Sequence, residues 1–219
     1  MNASELLHRT KELKFHGILA NWDEIEEEGM AWLEKFSVWE EQHRSQRSLD
    51  GRLRKARIPR FKPMTEFDWI WPKHCDREVI EQWMKLGFME GASNLILCGP
   101  NGVGKTMIVS NIASQTVLKG GTALFTTAAA MLNELDELDS DSALRRRIKY
   151  YTQPALLIID EVGYLSYSTR HADLLFEVIS QRYEKKSTCV TTNKPFTEWR
   201  DIFPNATCVV SIIDRLVHH

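Results

Sequence analysis

Residues 94–106 read NLILCGPNGVGKT, and this stretch decides the fold of the chain. Its first five residues form a short apolar run typical of a buried strand, and residues 106–120 have the apolar spacing of a helix. Between them, GPNGVGKT matches the pattern G-x-x-x-x-G-K-S/T in the strand, loop and helix context that this pattern requires. A glycine-rich turn that matches by chance is the alternative, and the flanking strand and helix disfavour it.

The matched residues predict a phosphate-binding loop. The glycines leave room for backbone N–H groups to close around phosphate oxygens, and the helix that follows adds the positive end of its dipole. The Lys105 ammonium can reach the β- and γ-phosphates of ATP, and the Thr106 hydroxyl can bind Mg²⁺. The predicted nucleotide-binding residues are Gly99, Pro100, Asn101, Gly102, Val103, Gly104, Lys105 and Thr106.

Further short β-rich runs alternate with helical segments along the rest of the chain. These runs are TALFTT at residues 122–127, ALLIID at 155–160 and STCVTTN at 187–193. Strands that alternate with helices are typical of a parallel sheet with helices on its faces. The predicted fold is therefore α/β, with a parallel sheet flanked by helices.

Two carboxylates end the apolar run at 155–160. A carboxylate at the C-terminal end of a buried parallel strand opens into the crevice where such sheets bind ligands. We therefore expect Asp160, with Thr106, to hold Mg²⁺, and Glu161 to orient and activate a water molecule for hydrolysis. An acidic pair that caps the next helix is the alternative, and the four apolar residues before Asp160 disfavour it.

Asn193 ends the last β-rich run, one strand after the two carboxylates. Its amide can contact the γ-phosphate or the attacking water, which would make it a catalytic residue alongside Glu161. Asn is also common in turns of the type Asn-Lys-Pro, which is the structural alternative for this residue.

The composition bounds the class of protein. The chain has 219 residues, 43% of them hydrophobic and 26% charged, as in globular proteins. Its net charge of −2 gives no overall basic field, so a nucleic-acid-binding patch must be local. The four cysteines lie far apart, and no segment resembles a signal peptide or a membrane span. These features predict a cytoplasmic protein without a membrane partner.

The N-terminal part of the chain predicts helices. Apolar residues at helical spacing favour a helix over residues 4–28 with Ser4 as its N-cap, and a second helix through residues 31–49. On the second helix, an aromatic stripe is interpreted as facing a core; it consists of Trp32, Phe36 and Trp39. Prolines mark the boundary that follows, so the predicted domains are a helical domain at 1–58 and an ATPase domain at 59–219.

Two segments are locally basic. Residues 44–62 hold eight basic residues and one acidic residue, and residues 143–151 read ALRRRIKYY. Such cations can neutralise phosphates without reading bases, although a solvated charged face is an equally simple interpretation. The candidate DNA-binding residues are Arg52, Arg54, Lys55, Arg57, Arg145, Arg146, Arg147 and Lys149.

The combined motifs resemble the AAA+ class of P-loop ATPases. Within that class, NLILCGPNGVGKT, LLIIDEVGYL, ADLLFEVISQRYE, TTNKPFTEW and DRLVHH resemble the IstB-type helper ATPases of bacterial insertion sequences. The similarity is strong over residues 45–219 and loose over the N-terminal helices. DnaC-type helicase loaders are similar in architecture and are the nearest alternative.

The resemblance implies a function. Proteins of this type bind and hydrolyse ATP with Mg²⁺, self-associate on duplex DNA and assist a transposase in choosing target sites, while the N-terminal helices serve as an adaptor. A DnaC-like helicase loader is one alternative. A nucleotide-gated DNA-binding scaffold with little turnover is another.

The resemblance also gives Arg215 a role. In assemblies of this class, an arginine in the position of SIIDRL points into the nucleotide site of the neighbouring protomer and stabilises charge on the γ-phosphate. A surface pair between Asp214 and Arg215 is the alternative, and Arg182 is a competing interface arginine. By comparison with the family, the ATPase domain lacks a final strand and a C-terminal sensor region, so we expect the NLILC strand at an exposed edge of the sheet.

Overall fold

The computed structural model describes residues 2–72, 74–164, 167–203 and 207–218. The chain forms two compact units, Met1–Gly51 and Arg52–His219. The division into functional domains after residue 58 stays a prediction. Among the described residues, no helix combines the length and apolar character needed to cross a membrane.

The first unit is helical and contains α1 (Ala3–Glu12), α2 (His16–Ala20) and most of α3 (Glu27–Ala56). The prediction of one helix over residues 4–28 is wrong, because the chain leaves the helical conformation after α1, where Lys14 adopts a φ of 56°. Ser4 is not the N-cap. The Asn2 side chain accepts from the Glu5 backbone N–H at 2.8 Å and the Glu5 carboxylate accepts from the Asn2 N–H, which together form a capping box.

The aromatic stripe of α3 does not face a core. Trp32, Phe36 and Trp39 are 47%, 48% and 57% exposed, whereas Leu33 and Ser37 of the same helix are buried. The rings contact one another, with centroids 5.7 and 5.6 Å apart along the stripe. Helical spacing shows that three residues share a face, and it does not show which face is buried.

The second unit is built on a four-stranded parallel sheet, as predicted. Its strands are β1 (Leu95–Cys98), β2 (Ala123–Thr127), β3 (Leu156–Val162) and β4 (Ser187–Thr192), in the order β1-β4-β3-β2. Strand β1 lies at one edge of this sheet, which confirms the position expected for NLILC. Both central strands are buried because helices cover both sides of a parallel sheet, although β4 has Ser or Thr at four of its six positions.

Helices pack around these strands and close the core. Their bounds are α4 (Arg77–Met84), α5 (Lys105–Leu118), α6 (Ala128–Asp136), α7 (Asp141–Thr152), α8 (Thr169–Arg182), α9 (Trp199–Ile202) and α10 (Val209–Val217). Every residue of β4 is buried, as are all but one of β3. Since all strands are parallel, their C-terminal ends meet at one edge of the sheet, which is where such folds place their ligands.

Arg182, at the end of α8, is buried inside the second unit, which excludes its acting as an arginine at an interface between protomers. The side chain is 1% exposed, and its guanidinium donates to the Thr188 hydroxyl at 3.0 Å and to the Pro154 carbonyl at 2.8 Å. Burial lowers its pKa to about 9. The same guanidinium also donates to the backbone carbonyls of Tyr151, Thr152, Ala155 and Ser187. It therefore fastens the segment between α7 and β3 to the start of β4.

Replacing Arg182 by Leu should destabilise the second unit strongly. The carbonyls that it serves would lose their donor, and each buried unsatisfied group costs about 1–3 kcal/mol. We expect urea denaturation to show a loss of about 3 kcal/mol or more in the free energy of unfolding. Lys185→Ala, at the exposed neighbouring position, is the control. Equal small losses in both variants would contradict the role given to Arg182.

Candidate nucleotide-binding site

The C-terminal ends of β1, β3 and β4 surround a cavity of about 580 Å³. The phosphate-binding loop runs from β1 into α5 along one wall, and β3 and β4 supply the wall opposite. Among the residues that line the cavity are Lys62, Gly102, Gly104, Lys105, Thr106, Glu161, Tyr164, Thr191 and Asn193. The fold thus brings most of the predicted nucleotide residues together with Glu161 and Asn193.

The loop has backbone conformations that favour glycine. Gly102 and Gly104 have φ values of 84° and 91°, in the left-handed region. At Gly104 a side chain is excluded a second time, because a Cβ atom would lie 2.5 Å from the ring of Phe67. Phe67 is buried and belongs to the segment that precedes α4. The second and third glycines of the motif are therefore required by backbone conformation, and the third also by packing.

The Lys105 ammonium is held over the loop. Its Nζ donates to the carbonyls of Gly99 at 2.7 Å and Pro100 at 2.9 Å. Burial lowers the pKa of Lys105, and the nearby Asp160 carboxylate opposes that shift. The ammonium group is thus positioned for phosphate oxygens, which would provide stronger, charge-assisted acceptors than the two carbonyls.

Asp160 is the centre of the hydrogen-bond network at this edge. The residue is only 3% exposed, and its Oδ2 accepts from the Thr106 hydroxyl at 3.0 Å. Its Oδ1 accepts a short hydrogen bond from the Thr191 hydroxyl. The same Thr191 oxygen accepts from the backbone N–H of Glu161 at 2.9 Å. Two hydroxyls therefore join the carboxylate of β3 to the start of α5 and to β4.

Thr191 was not among the residues predicted from the sequence. The register between β3 and β4 shifts between Ile159 and Val162, and within this irregularity Glu161 has a φ of 62°. There, the Glu161 N–H finds the Thr191 side chain as its acceptor. Bulges and positive φ values cluster at functional sites, where they redirect a side chain. The sequence of a strand does not reveal such a register shift. The one feature of the sequence that pointed to Thr191 was its position two residues before the predicted site residue Asn193.

Glu161 and Asn193 both line the cavity, but they differ in exposure and in hydrogen bonding. Glu161 is exposed, so its carboxylate is accessible to a ligand or to water. The Oδ1 atom of Asn193 is buried and finds no hydrogen-bond partner among the described residues. An unsatisfied buried oxygen is costly, which favours a ligand or water as the missing partner.

The residues of the site fit a magnesium ion. Thr106 and Asp160 present a hydroxyl and a carboxylate 3.0 Å apart beside the phosphate-binding loop. Hard oxygen ligands of this kind, few in number and next to a phosphate site, are what Mg²⁺ requires.

Lys62 also lines the cavity, although the sequence did not predict it as a nucleotide-site residue. Its backbone carbonyl accepts from the Asn111 side chain at 2.8 Å.

Arg215 packs against its own chain. Its guanidinium donates a short hydrogen bond to the Ser180 hydroxyl and lies 4.4 Å from the ring centroid of Phe176. The structure therefore gives Ser180, and not Asp214, as its partner among the described residues. Its backbone carbonyl accepts from Asn94 at 3.1 Å. Because Asn94 precedes β1, this backbone lies at the end of β1 remote from the phosphate-binding loop.

The two basic segments meet around Tyr150. The guanidinium of Arg57, just after α3, lies 5.5 Å from the Tyr150 ring centroid, and that of Arg147 lies 4.1 Å from it. Arg147 also forms a short ion pair with Glu134, so it is engaged within the chain. The exposed candidates are Arg54, Lys55, Arg57, Arg145, Arg146 and Lys149, while Arg52 is partly buried.

The fold and the site define a P-loop nucleotide-binding protein of the AAA+ class. The family model of the IstB-like ATP binding protein matches residues 9–219. The chain belongs to this family.

Known relatives agree with this assignment. A protein of insertion sequence IS21 from Pseudomonas aeruginosa, named for ATP binding, is 35% identical over 176 residues, which are 80% of this chain and 66% of that protein. A similarly named protein of IS232 from Bacillus thuringiensis subsp. berliner is 33% identical, over 85% of this chain and 75% of that protein.

Solved structures show the same fold. The crystal structure of DnaI is 19% identical with a TM-score of 0.56, and the match covers 71% of this chain and 90% of that one. The replication initiator DnaA bound to AMPPCP and single-stranded DNA is 17% identical with a TM-score of 0.54, over 62% of this chain and 42% of that one. At this identity the likeness concerns the fold alone.

Replacing Thr191 by Val should slow ATP turnover and leave ATP binding nearly intact. The methyl group removes one of the two hydroxyl donors to Asp160 and the acceptor of the Glu161 N–H, so Asp160 is held by Thr106 alone and the Glu161 backbone loses its partner. Hydrogen bonds to charged groups contribute about 1.5–3 kcal/mol, so turnover should fall by about 10- to 100-fold.

Thr191→Ser, which keeps the hydroxyl, is the matched control and should retain most of the rate. Steady-state phosphate release and ATP titration measure the two quantities. Val and Ser variants with equal rates would show that the hydroxyl positions nothing of importance.

Proposed function

We propose that the chain hydrolyses ATP with Mg²⁺, assembles on duplex DNA and assists a transposase in selecting target sites. The observation that carries the ATPase part is that Lys105, Thr106 and Glu161 line one cavity at the C-terminal edge of the sheet, with Asp160 bound to the Thr106 hydroxyl. The transposition part is supported by relatives whose names place them in insertion sequences. In this proposal the protein acts in the cytoplasm, and residues 1–58 serve as the adaptor domain.

The residues of the site divide the work of hydrolysis. Lys105 binds the β- and γ-phosphates, exchanging its two loop carbonyls for phosphate oxygens. Thr106 and Asp160 hold Mg²⁺, which supplies charge neutralisation on the phosphate oxygens when it is bound. Glu161 orients the attacking water and accepts its proton as the oxygen bonds to the γ-phosphorus and the bond to the bridging oxygen breaks. Asn193 contacts the γ-phosphate or this water through its amide.

The proposal assigns Arg215 to the nucleotide site of a neighbouring protomer. Its backbone lies at the end of β1 remote from the loop of its own chain, which favours action on another chain. To act there, its side chain must leave Ser180 and Phe176, both of which it contacts on α8. Bound ATP would then stabilise the contact between protomers, and hydrolysis would weaken it.

The basic residues of α7 and of the segment formed by the end of α3 and Arg57 are proposed to contact duplex DNA. Arg54, Lys55, Arg57, Arg145, Arg146 and Lys149 are exposed, and Arg52 and Arg147 lie beside them. Their charges would bind the phosphate backbone without reading the base sequence. DNA bound by several protomers together would then favour their assembly.

Replacing Glu161 by Gln should abolish turnover and retain ATP. The amide cannot accept the proton of the attacking water, and general bases contribute about 10²- to 10⁴-fold in rate. We expect the variant to remain on a labelled duplex in the presence of ATP longer than the parent protein does. Rates of DNA dissociation measured by fluorescence anisotropy test this. If ATP hydrolysis and dissociation are unchanged, Glu161 is not the base; if hydrolysis is also at background in the parent protein, the chain acts as a scaffold with little turnover.

Mixing two inactive variants tests the role of Arg215 in trans. An Arg215→Ala chain keeps Lys105 and Glu161, and a Glu161→Gln chain keeps Arg215, so a mixed assembly contains complete sites. We expect the mixture to regain DNA-stimulated ATP turnover that neither variant shows alone. The control mixture pairs Glu161→Gln with Lys105→Ala, in which no site is complete.

A separate control addresses packing. Ser180→Ala removes the intrachain partner of Arg215 and keeps the guanidinium, so this variant should stay active. Failure of the first mixture to regain activity, together with inactivity of Ser180→Ala, would show that Arg215 only packs α10 against α8.

A further inference from the structure

A second cavity, of about 670 Å³, lies at the opposite edge of the sheet. It is formed where β2, β3 and β4 begin and where the last turn of α3 approaches the end of α7. Arg52, Lys55 and Lys186 line it together with Tyr150 and Gln153. Only Arg52 and Lys55 were predicted as binding residues, and the fold adds Lys186 from a different part of the chain.

The lining of this cavity is positively charged. Among the described residues that line it, three are cations and none is a carboxylate. The Lys186 ammonium donates to the carbonyl of Thr152 at 3.2 Å and to that of Gln153. Burial, followed by repulsion from Arg182, lowers the pKa of Lys186. Neutral carbonyls thus hold the Lys186 ammonium, and an anion in the cavity would offset the repulsion among the three cations.

The surroundings add further cations and donors. The face of Tyr150 is approached by the guanidinium groups of Arg57 and Arg147, with the centroid distances given above. Arg182 is buried next to Lys186 and donates to the Thr152 carbonyl that Lys186 also uses. The side chains of Tyr150 and Gln153 can donate hydrogen bonds to an oxyanion. Of these groups, Tyr150 and Gln153 line the cavity, whereas Arg57, Arg147 and Arg182 lie outside its lining and Arg147 is paired with Glu134.

We infer that this cavity is a second phosphate-binding site, which takes a phosphate or phosphodiester group on Arg52, Lys55 and Lys186. It is separate from the nucleotide site, because Lys186 directly precedes β4 whereas Thr191 and Asn193 lie at the other end of that strand. The five residue steps from Lys186 to Thr191, at about 3.3 Å each, separate the two sites by about 16 Å. ATP at the phosphate-binding loop therefore does not compete for this cavity. The inference rests on the proposed function for the DNA contacts of Arg52 and Lys55, and it adds Lys186 and the cavity as a defined site.

Two probes distinguish the possible sources of the phosphate. A fluorescent 30-base-pair duplex reports phosphodiester binding through anisotropy at several salt concentrations. Inorganic pyrophosphate, titrated by calorimetry into the full chain carrying Lys105→Ala, reports small phosphorylated ligands while the phosphate-binding loop is disabled. Both probes are applied to Lys55→Gln and Lys186→Gln. The matched control is Lys185→Gln, since Lys185 is exposed, adjacent in sequence and outside the cavity.

We expect each of the two Gln variants to bind the duplex several-fold more weakly. Each should also lower the slope of log affinity against log salt by about 1, the value for one lost phosphate contact. Lys185→Gln should match the parent. Loss of duplex binding without measurable pyrophosphate binding identifies a nucleic-acid backbone as the ligand. Pyrophosphate binding that both Gln variants lose identifies a small phosphorylated ligand.

Other outcomes overturn the inference. It fails if Lys55→Gln and Lys186→Gln bind both probes like the parent, or if Lys185→Gln loses as much as they do. Thermal unfolding separates lost binding from lost folding, and the exposed position of Lys55 keeps that variant informative even if Lys186→Gln is destabilised. ATP affinity of Lys186→Gln, read in the absence of DNA, separates this inference from the proposed ATPase. Normal ATP binding with weakened probe binding supports the second site, whatever the fate of the ATPase proposal.

Discussion

The buried carboxylate of Asp160 is the constraint on which the candidate site depends. A carboxylate that is 3% exposed must have its oxygens satisfied, and the Thr106 and Thr191 hydroxyls do this from opposite sides. Thr106 belongs to the first turn of α5 and Thr191 to β4, so one side chain ties three elements together. The contact between Thr106 and Asp160 fixes the C-terminal end of the loop between β1 and α5. This contact therefore also helps to position the glycines of the loop and Lys105.

The neighbouring residue shows what this arrangement does to the backbone. The register between β3 and β4 shifts after Ile159, and Glu161 there has a positive φ. The Glu161 N–H donates to the Thr191 hydroxyl, which itself donates to Asp160. Consecutive residues of a regular strand would point to opposite faces of the sheet. In the irregularity both adjacent carboxylates stay at the ligand edge: Asp160 is bound to Thr106, which lines the cavity, and Glu161 lines the cavity itself. A local cost in backbone conformation is thus offset by the hydrogen bonds that Thr191 makes.

The parts of the structure that the sequence predicts are those with a strong local signal. The loop from Gly99 to Thr106 has a fixed spacing, and the β-rich runs that form the four strands are short and well separated, so the sheet and its ligand-binding edge were predictable. Thr191 and Arg182 were not, because their roles depend on a register shift and on carbonyls distant in sequence. The exposed face of α3 was assigned incorrectly for a related reason: periodicity identifies a stripe, and only tertiary contacts determine whether that stripe is covered.

The most direct test of the central claim is phosphate release from ATP in the presence of Mg²⁺, measured for the parent chain and for Lys105→Ala at saturating ATP. The network around Asp160 has a catalytic purpose only if the loop presents a nucleotide to Glu161. The account predicts steady phosphate release by the parent chain, stimulated by duplex DNA, and none above background for Lys105→Ala. No release by the parent chain, or equal release by both proteins, would contradict it.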